Sequence, residues 1–167
     1  LVDPNRITLR DYVPGDTEDL IELFRTTVRT VNSADYNLNQ LEAWAPDAID
    51  LTNWRERQSK NVTVVALIEG QIAGFGELCP GGIIHMLYVG AFYQNQGVAH
   101  FLLHRLEERA RLAGMSSLKT YASLTANGFF VKYGYRVLGP NKVTLGDQVL
   151  DNILMEKHLP TDIQAAD

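Results

Sequence analysis

The chain has 167 residues, 46% of them hydrophobic, which is one domain's worth (residues 1–167) with enough apolar content to build a core without disulfides or metals. Fifteen basic and twenty acidic residues give a net charge of −5, and with no Lys/Arg run such a chain is a poor binder of nucleic acid or of an anionic membrane. The single cysteine, Cys79, rules out an internal disulfide and fits a reducing compartment, the cytoplasm, while the lack of a long apolar run or a leader at Leu1–Arg6 predicts neither a membrane span nor a targeting segment.

Alternation from Ile7 to Tyr12 predicts a first strand, broken by Pro14-Gly15-Asp16. Asp16 reads as the N-cap of a helix whose apolar stripe is Leu20, Leu23, Phe24, Thr27, Val28 and Val31. Leu38, Leu41, Ala45 and Trp54 suggest two short helices around Pro46. Val62 to Ile68 and Ile72 to Leu78 alternate around the turn Glu69-Gly70-Gln71, and Ile83 to Val89 is a strongly apolar strand after Pro80-Gly81-Gly82. The clearest helix carries Ala99, Leu102, Leu103, Leu106, Ala110 and Ala113 on its buried stripe, with Glu107 and Arg111 expected to pair on its wet side, and stops at Gly114. A strand at Leu118–Ala122, a helix at Ala126–Tyr133 and a hairpin of two strands around Gly146-Asp147 complete the chain. This order predicts an α/β fold: a mixed, mostly antiparallel sheet of about seven strands flanked by helices, since both hairpins and crossovers occur.

The most informative segment runs from His85 to Ala99, where an apolar strand leads through a short loop into a helix opened by Gly97. A helix N-terminus offers unpaired N–H groups and the positive end of the dipole, which together bind anions. Gly97 lets a phosphate approach the backbone, and Ala99 keeps the next turn thin. A strand-to-helix turn whose glycine serves only geometry is the plain alternative. The segment matches neither G-x-x-x-x-G-K-[ST] nor G-x-G-x-x-G.

Gln94-x-x-Gly97-x-Ala99, five residues after Val89, resembles the Q/R-x-x-G-x-G/A pyrophosphate motif of the GCN5-related N-acetyltransferase (GNAT) family. Ser123 to Tyr135 resembles that family's second signature, N/S-x-x-A-x-x-F-Y/F-x-K-x-G-F/Y, and the element order matches across nearly the whole chain. The stretch from Asn32 to Trp44 is similar to a bacterial subgroup of uncharacterised acetyltransferases. The resemblance implies an acetyl-CoA cosubstrate. The backbone of Leu87, Tyr88 and Val89 would pair with the pantetheine arm, and Gln94, Asn95, Gln96, Gly97, Val98 and Ala99 would wrap the pyrophosphate. Strands 83–89 and 118–122 would diverge to form a slot, with Ser123 and Phe130 beside the cosubstrate. An amine would attack the thioester directly. One departure stands out: where the family often carries a tyrosine that protonates the leaving thiolate, this chain has Phe130.

His85 is the candidate general base, expected on the same strand face as Leu87 and Val89; a core histidine bonded to a carbonyl is the alternative. Glu77 could act as a base through water, or be an edge-exposed strand carboxylate. Tyr36 and Trp44 either line the acceptor side or pack in the core, whereas Trp54 reads as core. Cys79 has no arranged partner for a nucleophile, and His100/His104 lacks the glutamate of H-E-x-x-H, so both histidines read as a solvated face with no metal implied. The expected function is therefore acetyl transfer from acetyl-CoA to an amine, small molecule or peptide. The acidic balance favours a cationic acceptor, and a homodimer is left open. The rival readings are a non-catalytic acyl-CoA sensor on the same fold and a partner-binding domain without CoA affinity.

Overall fold

The computed structural model describes Asp3 and residues 6–160. Strand β1 (Ile7–Asp11) leads through a 3-10 turn (Pro14–Asp16) into α1 (Thr17–Thr30), and a second 3-10 turn (Asn32–Ala34) precedes α2 (Leu38–Trp44) and α3 (Leu51–Lys60). Three strands follow, β2 (Val62–Ile68), β3 (Gln71–Cys79) and β4 (Ile83–Val89), then α4 (Val98–Leu112), β5 (Ser117–Ser123), α5 (Asn127–Lys132), β6 (Arg136–Leu145) and β7 (Gln148–His158). All seven strands join one sheet in the order β1-β2-β3-β4-β5-β7-β6. Every neighbouring pair is antiparallel except β4 and β5, which are parallel. This is the mixed, mostly antiparallel sheet that the hairpins and the one long crossover through α4 demand.

The sheet buries both faces. One face holds Val64, Leu78, Ile84 and Val89 against Val98, Leu102 and Leu106 of α4. The other holds Val65 and Phe75 against Leu20, Phe24 and Val28 of α1 and Trp54 of α3. Strand β3 is central, and its two inner glycines set how closely α4 can lie. A Cβ at Gly74 would sit 2.7 Å from the Tyr88 carbonyl oxygen, and one at Gly76 would sit 2.8 Å from a Leu106 methyl. Only a bare backbone admits that approach.

Local polar groups start the helices. Asn37 and Gln40 form a reciprocal capping box on α2, and the Asp50 carboxylate accepts the Asn53 N–H at the start of α3. Asp16 stands at the N-cap position of α1, as expected, but its side chain makes no capping bond there. Its carboxylate reaches back to accept the Val13 N–H at 2.9 Å and takes both Nη1 and Nη2 of Arg10, at 2.7 and 2.8 Å. The 3-10 turn moves the first capped residue one turn earlier than the sequence suggests. Glu107 on α4 is engaged across the fold. The carboxylate accepts Lys157 Nζ at 3.0 and 3.1 Å and the Tyr135 hydroxyl at 3.0 Å. Here α4 lies close enough to β7 for a tertiary ion pair.

Two irregularities position the site. β4 and β5 pair only at Ile83 with Lys119 and at Ile84 with Thr120, where Thr120 Oγ1 also donates to the Ile84 carbonyl. Beyond that point the strands part. On its other side β4 carries a bulge: Glu77 faces Met86 while Leu78 faces Ile84, so His85 is the extra residue.

Candidate active site

The parted strands open onto two cavities. The first, about 490 Å³, lies beside the loop that connects β4 to α4. Asn95 and Gly97 both take positive φ, 59° and 89°, and this double left-handed turn delivers the chain into α4. The first intrahelical bond is Phe101 N–H to the Gly97 carbonyl at 3.1 Å, so the N–H groups of Val98, Ala99 and His100 precede any helical acceptor. A Cβ on Gly97 would meet nothing closer than the Phe101 ring at 3.7 Å. The space in front of the backbone is therefore open, and the φ itself is what requires glycine.

The loop is fastened from inside. Gln94 Nε2 donates to the Val89 carbonyl at 2.6 Å, joined there by Thr27 Oγ1 at 3.3 Å, and Gln96 Nε2 donates to the Phe92 carbonyl. The Gln94 side chain thus holds the end of β4, and Val98 is core, so what these residues offer a ligand is backbone. Leu87, Val89, Gly97, Ala99, Ser123 and Phe130 all line this cavity. Ser123 Oγ accepts the Ala126 N–H at 3.1 Å, and Phe130 is buried edge-on against Tyr135. His100, expected on a solvated face, also lines the cavity, its ring stacked on Tyr133 at 4.7 Å between centroids. Tyr133 directly follows α5, 33 residues on, and no local periodicity announces that contact.

The second cavity, about 850 Å³, lies on the opposite side of β4 under α2 and α3. Its wall is aromatic: Phe24, Tyr36, Trp44, Trp54, Tyr88 and Tyr121. Tyr36 and Trp44 meet edge to face at 5.3 Å, with Tyr36 buried in the core cluster, and Tyr36 has a second duty. Its hydroxyl donates to the Asp151 carbonyl at 2.6 Å and accepts the Leu124 N–H at 3.0 Å. Trp54, expected to be core, is buried and also lines the cavity, with the Arg57 guanidinium 4.7 Å over its ring. Tyr88 contributes its ring as well as backbone, and burial pushes its phenol well above the ordinary range.

His85 is in this second cavity, with Met86 and Tyr88. The expected shared face with Leu87 and Val89 is overturned by the bulge, since those two residues pack toward α4. The imidazole keeps open surface toward the cavity, yet the surrounding protein lowers its pKa below 6.5. Burial is the main cause, opposed by the Glu77 carboxylate and reinforced by Arg57.

Glu77 is neither on an edge nor exposed. It sits in the central strand at 0% relative exposure, because β3 is covered on both faces. Oε1 accepts Arg57 Nε at 2.7 Å and Asn61 Nδ2 at 2.8 Å, and Oε2 accepts Arg57 Nη2 at 3.2 Å. Sequence reasoning passed over Arg57 altogether. The only available signal was a carboxylate in the middle of an apolar strand, which must find a cation somewhere.

The sheet thus splits beside a glycine-opened helix, with an aromatic cavity across the split. Residues 32–157 match the family described as the acetyltransferase (GNAT) domain. The chain is 35% identical over 139 residues to the uncharacterized N-acetyltransferase YafP of Escherichia coli (strain K12), covering 83% of this chain and 87% of that protein. The crystal structure of a GCN5-related N-acetyltransferase from Rhodopseudomonas palustris superposes with a TM-score of 0.88 at 34% identity, over 91% of this chain and 95% of that one. The PaiA N-acetyltransferase of Thermoplasma acidophilum, solved in complex with coenzyme A, shares the fold with a TM-score of 0.76 at 20% identity, over 91% and 98% of the two chains. This chain belongs to the GNAT acetyltransferase family.

Proposed function

We propose that the protein is an acetyl-CoA-dependent N-acetyltransferase that passes the acetyl group directly to an amine held in the larger cavity. The observation that carries this reading is that Tyr88 and Ser123 line both cavities, so the two meet at the parting of β4 and β5. A cosubstrate on one side and an acceptor on the other would face each other there. The loop fits a pyrophosphate: the N–H groups at the start of α4 lack helical acceptors, and the space before Gly97 is open. Acetyl-CoA, when bound, supplies a thioester whose carbonyl carbon forms the new C–N bond as its C–S bond breaks.

The chain's own residues bind, orient and move a proton. At Leu87, Tyr88 and Val89 the β5 side of β4 has no strand partner, and that edge is suited to holding an amide-bearing arm as an added strand, with the Val89 carbonyl already taken by Gln94 and Thr27. An acceptor arriving as an ammonium must lose a proton, and His85, kept neutral by its lowered pKa, is suited to take it. Glu77 has its lone pairs committed to Arg57 and Asn61, so its part is to fix Arg57 rather than to accept a proton. Phe130 offers no acid, and a CoA thiolate is a fair enough leaving group to depart without one. The joining of all seven strands in one sheet supports a single domain over the described residues of the proposed 1–167 unit, and free Cys79 supports a reducing, cytoplasmic setting.

The test is thiol release from acetyl-CoA over a panel of amines, with calorimetry of CoA binding alongside. Phe130 favours a second reading, an acyl-CoA sensor. CoA binding with no turnover on any amine would support the sensor, and no CoA binding at all would overturn both.

A further inference from the structure

The larger cavity carries more chemical information than its aromatic walls. Arg57 lines it from α3 with its guanidinium held on three sides. Nε and Nη2 are committed to Glu77, Nη2 also contacts Met86 Sδ at 3.4 Å, and the planar group lies over the Trp54 ring. Nη1 has no partner among the described residues. A guanidinium fixed in this way has its remaining donors on Nη1, and a charged N–H donor of that kind suits a carboxylate oxygen. Its side chain keeps 29% of its surface exposed, so it is within reach of a ligand.

The cavity's other charges do not form a second cation site. Asp151 is paired with Lys142, and Asp50 at the rim is engaged as the cap of α3. His85 follows on the wall, next in sequence to the Met86 that Arg57 touches. A ligand that placed a carboxylate on Arg57 and an amine toward His85 would leave its remaining group among Phe24, Trp44, Trp54 and Tyr88.

We infer that the acceptor is a free amino acid with an apolar or aromatic side chain, held through its carboxylate by Arg57. This rests on the acetyltransferase reading above and names the substrate class of the same site. It departs from the expectation of a cationic acceptor drawn from net charge, because the donor left open inside the cavity belongs to a guanidinium.

The test is calorimetry on the CoA-saturated protein with three probes: L-phenylalanine, its decarboxylated counterpart 2-phenylethylamine, and spermidine. L-Phenylalanine is expected to bind at least about tenfold tighter than 2-phenylethylamine, the worth of one charged hydrogen-bonded contact, and spermidine weakest. Removing Arg57 alone would strand a buried Glu77, so the variant is the double change Arg57→Gln with Glu77→Gln. It is expected to abolish the preference while keeping 2-phenylethylamine binding. Equal binding of the two aromatic probes, tighter binding of spermidine, or no binding of L-phenylalanine would overturn the inference. A CoA titration run first separates the two failures. If CoA does not bind, the cosubstrate reading falls, and titrating the three probes into the protein alone still decides the acceptor class.

Discussion

The hydroxyl of Tyr36 donates to the backbone carbonyl of Asp151 at 2.6 Å, across 115 residues of chain, and accepts the Leu124 N–H on its other side. One oxygen thereby ties the segment before α2 to β7 and to the loop after β5. Tyr36→Phe keeps the ring against Trp44 but leaves a donor and an acceptor without their partner. It is expected to cost about 1–3 kcal/mol of stability, seen as a lower denaturation midpoint, and to raise the acceptor KM as the cavity wall loosens. Unchanged stability would show that water replaces the hydroxyl.

Trp44 is half-buried, lines the cavity and has a side-chain hydrogen bond with Tyr88. Trp44→Ala is expected to raise the acceptor KM by about tenfold or more, the loss of one aromatic wall, with CoA affinity unchanged in calorimetry. Loss of CoA affinity in step with KM would assign the ring to general packing.

Gly97 separates two effects that one substitution would confuse. Gly97→Ala has room for its methyl, so its penalty is the left-handed φ of 89° alone, about 1–2 kcal/mol. Gly97→Glu adds a side chain and a negative charge where a pyrophosphate is expected, and should weaken CoA binding at least about tenfold beyond the alanine variant. Calorimetry of both variants checks this. Equal affinities in the two would remove the phosphate from this loop.

For His85 the sign follows from burial. Its pKa is lowered from 6.5, so the neutral, proton-accepting form persists to lower pH than in a free imidazole. The kcat/KM profile on the best acceptor should rise through an ionisation below 6.5 and be level by neutrality. His85→Ala should remove that limb and cost roughly 10²–10⁴ in rate with CoA binding intact. A variant that kept both the rate and the limb would place the base elsewhere.

Asp16 gives a pH effect on stability instead. Burial works to raise its carboxyl, but the Arg10 hydrogen bonds, the Val13 N–H and the Arg10 charge outweigh it and hold the pKa below 3.8. A lowered folded pKa contributes stability that is complete above the unfolded value and is lost as pH falls through the folded one. Asp16→Asn should therefore destabilise the protein by about 1–3 kcal/mol near neutrality, with the gap to wild type closing below about pH 3.8 in denaturant titrations at several pH values.

What the sequence disclosed and withheld has a physical pattern. Gly97 and the apolar run before it announced the loop, because a left-handed turn and a helix start leave local marks. Alternation and turns likewise marked where the strands lie along the chain, nearly to the residue. Period-two reasoning failed at His85, since a single inserted residue reverses which face follows and a bulge has no signature of its own. Arg57 and Glu77 lie on different elements twenty residues apart, and Glu107 with Lys157 fifty apart. Such pairs are set by how helices settle on the sheet, which propensities do not encode.

The brief pairing of β4 with β5 leaves the protein with an edge in the interior of its own sheet. Open ladder groups are templates for any passing strand, and natural folds usually blunt or cover them. On the proposed function, the arm of the cosubstrate fills that gap while it is bound, and binding at a hundredfold excess over Kd adds about 2.7 kcal/mol to the folded state. Resistance to aggregation and to amide hydrogen exchange would then track the supply of acetyl-CoA, and a starved cell would hold a more fragile population of this protein than a fed one.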